Sequence, residues 1–270
     1  MSKDAKQAKA MTSNSSSNSI ALHEDLQGGW GTEEVDSSDI IIPKLLLMHG
    51  QSMLVQDGNA NIGDLVKSTN KKIVATRKSG EGVKVIPFML YKTWVNEAKI
   101  EGKWKWRGEE PLTAKNADLP WNGYQDEEGN EARRSSALNF YAMLAEDIGE
   151  EIALPVRLQF KRTSKKAGAA IAHFFGECKM QKKPGCMRVW TIGSDVVKAD
   201  ETYQVFTSAM GEESTVEQIA ACKQWYLEIQ KNRAKFTDHE EEEEEAVEAN
   251  TEKTVKPIKR GGAAEAGAEF

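Results

Sequence analysis

The stretch VKVIPFMLYKTW, residues 83–94, constrains the fold more than any other part of the chain. In an extended backbone, successive side chains point to opposite faces of a sheet. Here both alternating sets are mainly apolar, with Val83 and Val85 on one face and Ile86 and Phe88 on the other. A strand that is apolar on both faces is typical of the centre of a sheet that is covered on both sides. The sequence therefore predicts a long central strand here.

Flanking segments predict further strands and two helices. Clean alternation between residues 152 and 163 predicts one strand, and the acidic turn EDIGEE joins it to a strand at 139–145. Ser164 is a candidate N-cap for a helix over SKKAGAAIAHFFGE. The remaining elements are an edge strand or extended entry at IIIPKLLLM, two strands in RVWTIGSDVVKADETYQVFTSAM, and an amphipathic helix of about 20 residues ending near Phe236.

These elements predict a mainly β (α+β) fold. The specific expectation is an OB-type antiparallel β-barrel with a long loop insertion over residues 96–137 and a C-terminal amphipathic helix. We expect three regions. Residues 1–38 form a disordered N-terminal segment because they are rich in Ser and Asn and poor in apolar residues. Residues 39–236 form the OB-like domain, and residues 237–270 form a disordered acidic tail.

Charge is unevenly distributed along the chain. Residues 40–236 contain 29 Lys and Arg against 24 Asp and Glu, a net charge of +5, whereas residues 1–39 carry −4 and residues 237–270 carry −7. A positive body suits a polyanion such as nucleic acid. Acidic ends would compete with that polyanion.

The most informative local motif is KWKWR, residues 103–107. In an extended segment, Trp104 and Trp106 share one face while the cations share the other. Single-stranded nucleic acid is bound in this way, since bases stack on aromatic rings and cations contact phosphates. The alternative is a hairpin that packs both tryptophans onto the domain. Nearby Trp121, Tyr124, Arg133 and Arg134 would complete an aromatic and basic lid, whereas Trp94, at a strand end, is expected to be buried.

Other basic clusters are expected to extend the nucleic-acid-binding surface into a groove, although such clusters are more often solvated surfaces. One flanks a predicted strand near residue 75, one lies at the junction between the 152–163 strand and the following helix, and one surrounds the turn QKKPG. The predicted DNA-binding residues from these clusters are Lys71, Lys72, Arg77, Lys78, Arg157, Lys161, Arg162, Lys165, Lys166, Lys182, Lys183, Arg188 and Trp190, in addition to Lys103, Trp104, Lys105, Trp106, Arg107 and the four lid residues.

Signals for catalysis are weak. The chain contains no P-loop and no G-x-S-x-G elbow, and its paired acids fall in predicted turns. His173, Cys178 and Cys186 are a candidate soft metal set, but a fourth ligand is missing and buried thiols are the preferred interpretation. We therefore expect a non-enzymatic protein without a cofactor. Three cysteines, no apolar run of about 18 residues and no secretory signal predict a cytoplasmic protein without membrane contact.

Taken in order, the stretches IIIPKLLLM, VKVIPFMLYKTW and LPVRLQFKRTSKKAG, followed by the acidic tail, resemble the single-stranded DNA-binding proteins of tailed bacteriophages. The resemblance covers most of residues 39–236. It implies an OB-fold core that coats replication or recombination intermediates in the host cytoplasm. It also implies single-stranded DNA and replication or recombination proteins, such as a polymerase, as partners, with a homo-oligomer as a further expectation.

The chain ends in EAGAEF, after the run DHEEEEEEA. Bacterial and T7-type phage single-stranded DNA-binding proteins end on an acidic tail with a C-terminal Phe, and Glu269 and Phe270 match that pattern. By this resemblance Glu269 and Phe270 bind partner proteins, while the acids compete for the DNA groove. The chain departs from the pattern because a basic spacer at residues 253–260 separates its acids from its end. A cloning scar is an alternative source of Glu-Phe.

Two rival functions follow from the same residues. The net charge of −6 is also compatible with an interaction protein that mimics nucleic acid and inhibits a host nucleic-acid enzyme. An enzyme acting on nucleic acid would need a metal-binding set of carboxylates, which the sequence does not reveal.

Overall fold

A computed structural model describes residues 41–150, 153–198 and 202–236, with the last five as backbone only. The predicted disordered segments, with Glu269 and Phe270, lie outside these residues. The described chain is mainly β and its paired strands are antiparallel, as predicted. None of its helices is long and apolar enough to cross a membrane.

The larger sheet has seven strands in the part of the chain that is described. Its main path runs β10-β9-β4-β7-β6, while β5 pairs with β4 and β8 pairs with β7. The strands are β4 (Val83–Ile100), β5 (Lys103–Pro111), β6 (Tyr124–Gln125), β7 (Glu131–Leu144), β8 (Val156–Lys161), β9 (Arg188–Lys198) and β10 (Thr202–Glu213).

Strand β4 is the central strand that the sequence predicts. One of its edges pairs with β7 along most of its length, and the other pairs with β9 at residues 83–85 and with β5 at residues 93–100. Pro87 lacks a backbone N–H, and the register of β4 against β7 shifts between Pro87 and Met89. A bulge is where a proline is tolerated inside a sheet. Just before β4, Gly82 lies so close to β9 that an added Cβ would meet the Ile192 carbonyl oxygen at 2.4 Å.

The predicted loop insertion at residues 96–137 is wrong over most of its length. Strand β4 continues to Ile100, reverses direction at Glu101 and Gly102, and pairs with β5. Both turn residues have positive φ, at 53° and 79°. The segment resembles a loop in sequence because this hairpin carries charged residues on both faces, unlike the half-apolar strands that periodicity detects. The connection that remains between β5 and β7 contains only the short strand β6.

Two helices cover the two faces of the sheet. Helix α2 (Lys165–Met180) contributes Ala167 and Ile171 to a core that includes Phe140 and Phe160. Helix α3 (Val216–Phe236) contributes Cys222 and Ile229 to a second core, which includes Ile86, Tyr141 and Met143. Both helices are confirmed as predicted. Ser164 precedes α2, but its hydroxyl accepts a bond from the Phe206 backbone N–H (3.0 Å) instead of capping the helix.

A smaller three-stranded sheet consists of β1 (Leu45–Leu47), β2 (Leu65–Lys67) and β3 (Ile73–Ala75). The short helix α1 (Met53–Gln56) connects β1 to β2 and packs with them around Met48 and Val66. The entry strand is thus shorter than the apolar run that predicts it. Just before β1, Lys44 forms an isolated parallel bridge with Arg157 of β8. The described strands form no closed barrel, and the OB-type assignment stays a prediction.

Candidate nucleic-acid interface

One face of the larger sheet carries the two tryptophans of β5. The register pairs Trp104 with Lys99, Trp106 with Glu97, and Glu97 with Arg133. Residues that are paired across strands lie on the same face. We call this surface of β4, β5, β7 and β8, with Trp104, Trp106, Arg133 and Lys161, the tryptophan face.

Both tryptophans are half-buried, and Trp104 is in contact with cations. The Arg133 guanidinium carbon lies 3.9 Å from the centre of the Trp104 ring, and Lys99 Nζ lies 5.9 Å from it. Trp106 Nε1 is buried and has no hydrogen-bond partner among the described residues. Neither ring is completely buried or completely exposed. Burial alone therefore does not distinguish the binding prediction from the alternative in which both tryptophans pack onto the domain.

Glu97 neutralises much of the positive charge on the tryptophan face. Its Oε2 accepts a hydrogen bond from Arg133 Nε at 2.7 Å and also forms an ion pair with Arg162, whose side chain is 44% exposed. Lys99 pairs with Glu131 at 3.1 Å. A carboxylate held between two arginines occupies the place that a phosphate oxygen could take.

The predicted lid is divided between the two faces of the sheet. Arg133 and Arg134 are successive residues of β7 and therefore point in opposite directions. Arg134 lies 4.6 Å from the centre of the Tyr124 ring and 3.5 Å from Glu110 Oε1, on the face opposite to Trp104. Trp121 is 67% exposed, and its carbonyl accepts the Arg134 backbone N–H at 2.7 Å. The lid residues therefore do not form one binding surface.

Arg157 belongs to a buried polar network, which corrects its predicted role as a phosphate ligand. Its side chain is 2% exposed, and its Nη2 donates to Glu109 Oε2 at 2.5 Å and to Asn139 Oδ1 at 3.3 Å. Gln159 Nε2 donates to the other Glu109 oxygen at 2.6 Å, and Thr93 accepts a bond from Asn139 at 2.9 Å. The network joins β4, β5, β7 and β8, so its groups fix the hairpin to the rest of the sheet.

Trp190 is also corrected, because it is a core residue. It is 3% exposed, belongs to the core beneath α2, and contacts Phe174 edge to face at 6.0 Å. Trp94 is buried, as predicted, and its Nε1 donates to the Asn116 carbonyl at 3.1 Å. A DNA strand bound at the protein surface would not contact the Trp94 ring or the Trp190 ring in this conformation.

The other predicted cations are spread over several parts of the molecule. Lys165 is the first residue of the 16-residue helix α2 and Lys182 follows its last turn, so the two lie about 25 Å apart at 1.5 Å per residue. Two of them are already paired: Arg107 with Glu128, and Arg188 with Glu213 at 3.1 Å. Those not on the tryptophan face are distributed as follows: Lys71 and Lys72 in the β2–β3 turn, Arg77 and Lys78 in a 3₁₀ turn, Lys103, Lys105 and Arg107 along β5, Lys165 and Lys166 at the start of α2, Lys182 and Lys183 between α2 and β9, and Arg188 as the first residue of β9.

A cleft of about 510 Å³ adjoins the end of β8. We call it the β8–β10 cleft. Its walls come from β1, β8, the 3₁₀ turn Arg162–Ser164 and β10. The residues that line it are Lys44, Leu45, Leu46, Leu47, His49, Arg157, Gln159, Lys161, Arg162, Thr163, Ser164, Tyr203, Gln204 and Phe206. Sequence reasoning identified three of its cations but not Lys44, His49 or Tyr203, because these come from distant segments.

The lowered pKa of His49 indicates that the β8–β10 cleft is positively charged near Lys161. Partial burial of its ring and the positive charge of Lys161 both lower the pKa of His49 from its ordinary value. Lys161 has no ion-pair partner among the described residues. Its charge is therefore available to an anion that enters the cleft.

A second, smaller cleft of about 250 Å³ lies beside β9, where hydroxyls of Thr76, Thr191 and Thr207 surround it together with Arg77. Nearby Asp64 is fully buried, and its carboxylate accepts the backbone N–H groups of Asn61 and Arg77. Asp64 therefore fixes the loop that positions Arg77.

The candidate metal set is not assembled. His173 is exposed beside Glu177 at 3.4 Å, whereas Cys178 and Cys186 are buried free thiols. No cluster of three or more His, Cys, Asp or Glu side chains suited to a metal ion occurs in residues 41–150, 153–198 and 202–231. The Cys222 thiol donates to the Ile86 carbonyl at 3.9 Å, and its side-chain interaction with Cys186 lowers the pKa of Cys186 and raises that of Cys222.

No known family model matches this chain, and no match is found among curated proteins or among solved structures. Function is therefore inferred from the residues and their geometry alone.

Proposed function

We propose that this protein binds single-stranded DNA without sequence preference and that the tryptophan face is its principal contact surface. One observation carries the proposal: Trp104 and Trp106 lie side by side on one sheet face, with Lys99, Arg133 and Arg162 around them. Half-exposed rings among cations can stack bases while the cations contact phosphates. Such contacts require no particular base, because every base offers a π-face.

The strand order supports an OB-type core as part of this proposal. Strands β4, β7, β8, β9 and β10 occur in that order along the chain, β4 pairs with both β7 and β9, and α2 lies between β8 and β9. OB folds bind oligonucleotides on the face of their second and third strands and on the loop between the first and second. In this order those strands are β7 and β8, and the loop is the β4–β5 hairpin with its extension.

The ion pairs of Glu97 suggest how binding proceeds. A DNA phosphate that approaches Arg133 and Arg162 competes with the Glu97 carboxylate for the same guanidinium groups. Released arginines then hold the backbone while Trp104 stacks a base. Because phosphate contacts release counterions, the affinity is expected to fall steeply as salt rises.

The acidic residues 237–270 act, in this proposal, as an intramolecular competitor for the tryptophan face and as a recruiter of replication or recombination proteins through Glu269 and Phe270. The motive is charge: this segment carries −7, whereas residues 40–236 carry +5. Removing residues 237–270 should tighten binding to oligo-dT in low salt, and weaker binding would contradict the competitor role.

The test of the binding surface is a fluorescence titration of the full chain with oligo-dT at two salt concentrations. Stacking contributes about 1–3 kcal/mol per base, so Trp104→Ala with Trp106→Ala should weaken binding at least about 25-fold and remove most tryptophan quenching. Met210→Ala with Leu227→Ala is the matched control, because it removes two exposed apolar side chains elsewhere. Unchanged affinity in the tryptophan variant would refute the surface. A wild-type chain that does not bind oligo-dT in low salt would refute the function and favour the nucleic-acid mimic.

A further inference from the structure

We infer that the β8–β10 cleft holds one nucleotide of the bound strand, with its phosphate at Lys161 and its base beside Tyr203. This inference rests on the proposed function. It adds a defined single-nucleotide position next to the stacking surface, formed partly by residues that no sequence motif indicates.

The charges that line the cleft favour an anion. Among the described residues, its lining contains lysines, arginines and a histidine but no carboxylate. Two of the arginines are already neutralised, since Arg157 pairs with Glu109 and Arg162 pairs with Glu97. Lys161 lines the cleft and has no such partner among the described residues, so it contributes an uncompensated positive charge.

The size and walls of the cleft suit a nucleotide better than a bare phosphate. Small-molecule sites enclose about 300–1,000 Å³ and combine apolar walls with a few polar groups. At about 510 Å³, this cleft has Leu45, Phe206 and the half-buried Tyr203 as apolar walls. Thr163 and the side-chain carbonyl oxygen of Gln159, whose Nε2 already donates to Glu109 and Asn139, provide hydrogen-bonding groups for the edge of a base.

The cleft is continuous with the tryptophan face. Lys161 pairs with Ala137 in the β7–β8 register, and the next residue, Arg162, reaches Glu97 beside Trp106. Arg162 adopts φ of 51°, a left-handed conformation that is uncommon for a residue other than glycine. Such strained residues concentrate at ligand sites. A strand that stacks on Trp106 can therefore continue past Arg162 into the cleft.

The phosphate contact is tested by measuring the salt dependence of oligo-dT binding. Lys161→Gln should weaken binding and reduce the slope of log affinity against log salt by about 0.7, the value for one phosphate contact on a single strand. The control is Lys223→Gln, an exposed lysine of α3 with the same change in charge, which should leave the slope unchanged. Equal slopes for wild type and Lys161→Gln would overturn the inference.

The base contact is tested by photocrosslinking the full chain to oligo-dT that carries one 5-iododeoxyuridine. Crosslinks at Tyr203, lost in Tyr203→Ala, support the inference. Crosslinks confined to Trp104 and Trp106 would overturn it and leave the proposed function standing. An absence of any oligo-dT binding by the wild type would instead remove the proposed function and, with it, the inference.

Discussion

Replacing Arg157 with Met tests whether this arginine supports the structure or contacts DNA. Its guanidinium is 2% exposed and pairs with Glu109, which is itself 10% exposed. The substitution removes the cation and leaves the Glu109 carboxylate with Gln159 and Thr93 as its neutral partners. Breaking a buried ion pair by removing one partner costs about 3–5 kcal/mol. For a domain of this size, that corresponds to a fall in Tm of about 6–20 °C.

Urea unfolding followed by fluorescence gives the free energy of unfolding, and the same preparations serve for oligo-dT titration below the transition. We expect Arg157→Met to lose about 3–5 kcal/mol while the folded fraction binds oligo-dT as the wild type does. Adding Glu109→Gln should restore at least about 1 kcal/mol, because the unpaired charge disappears. The opposite result would be a stable Arg157→Met protein in which the slope of log affinity against log salt falls by about 0.7, the value for one phosphate contact. It would show that Arg157 binds phosphate, and would refute the structural role.

Two further predictions concern Gly82 and His49. Gly82→Ala should destabilise the fold by about 1–3 kcal/mol, because its Cβ would meet the Ile192 carbonyl oxygen at 2.4 Å, and an unchanged urea midpoint would contradict this close approach. The pKa of His49 is lowered in the folded protein from its ordinary value of 6.5. As pH falls below 6.5, the unfolded chain therefore takes up a proton at His49 before the folded chain does. Stability should thus be lost as pH falls below that value, and His49→Gln should flatten this part of the pH profile of unfolding free energy; identical profiles would exclude the effect.

Hydrophobic periodicity was sufficient for the parts of the fold that bury apolar surface. Residues 83–94, the β8 segment and helix α3 were predicted because each has a regular apolar pattern against a core. The hairpin of β4 and β5 was missed because cross-strand pairs stabilise it, such as Arg133 on Trp104 and Glu97 between two arginines. Those pairs depend on register, which the sequence does not specify without knowledge of the turn at Glu101 and Gly102.

The site was predictable only in part for a related reason. The KWKWR motif placed Trp104 and Trp106 together because alternation along one strand is a local property. Counting cations could not show that Arg157, Arg133 and Arg162 each face a carboxylate from another strand. Similarly, Tyr203 and His49 meet at one cleft although they are distant in sequence.

The position of β4 between partners that are distant in sequence has a consequence for synthesis. The hairpin partner β5 and the long partner β7 are complete once Leu144 has been made, but the first residues of β4 also need Trp190 of β9. At a translation rate of about 5–20 residues per second, the roughly 46 intervening residues take about 2–9 s. During that interval Val83 and Val85 present an open edge of an apolar strand on the nascent chain, which is the kind of segment that chaperones bind and that aggregates. Lys84, which lies between them, is then the charged residue that protects this edge until β9 arrives.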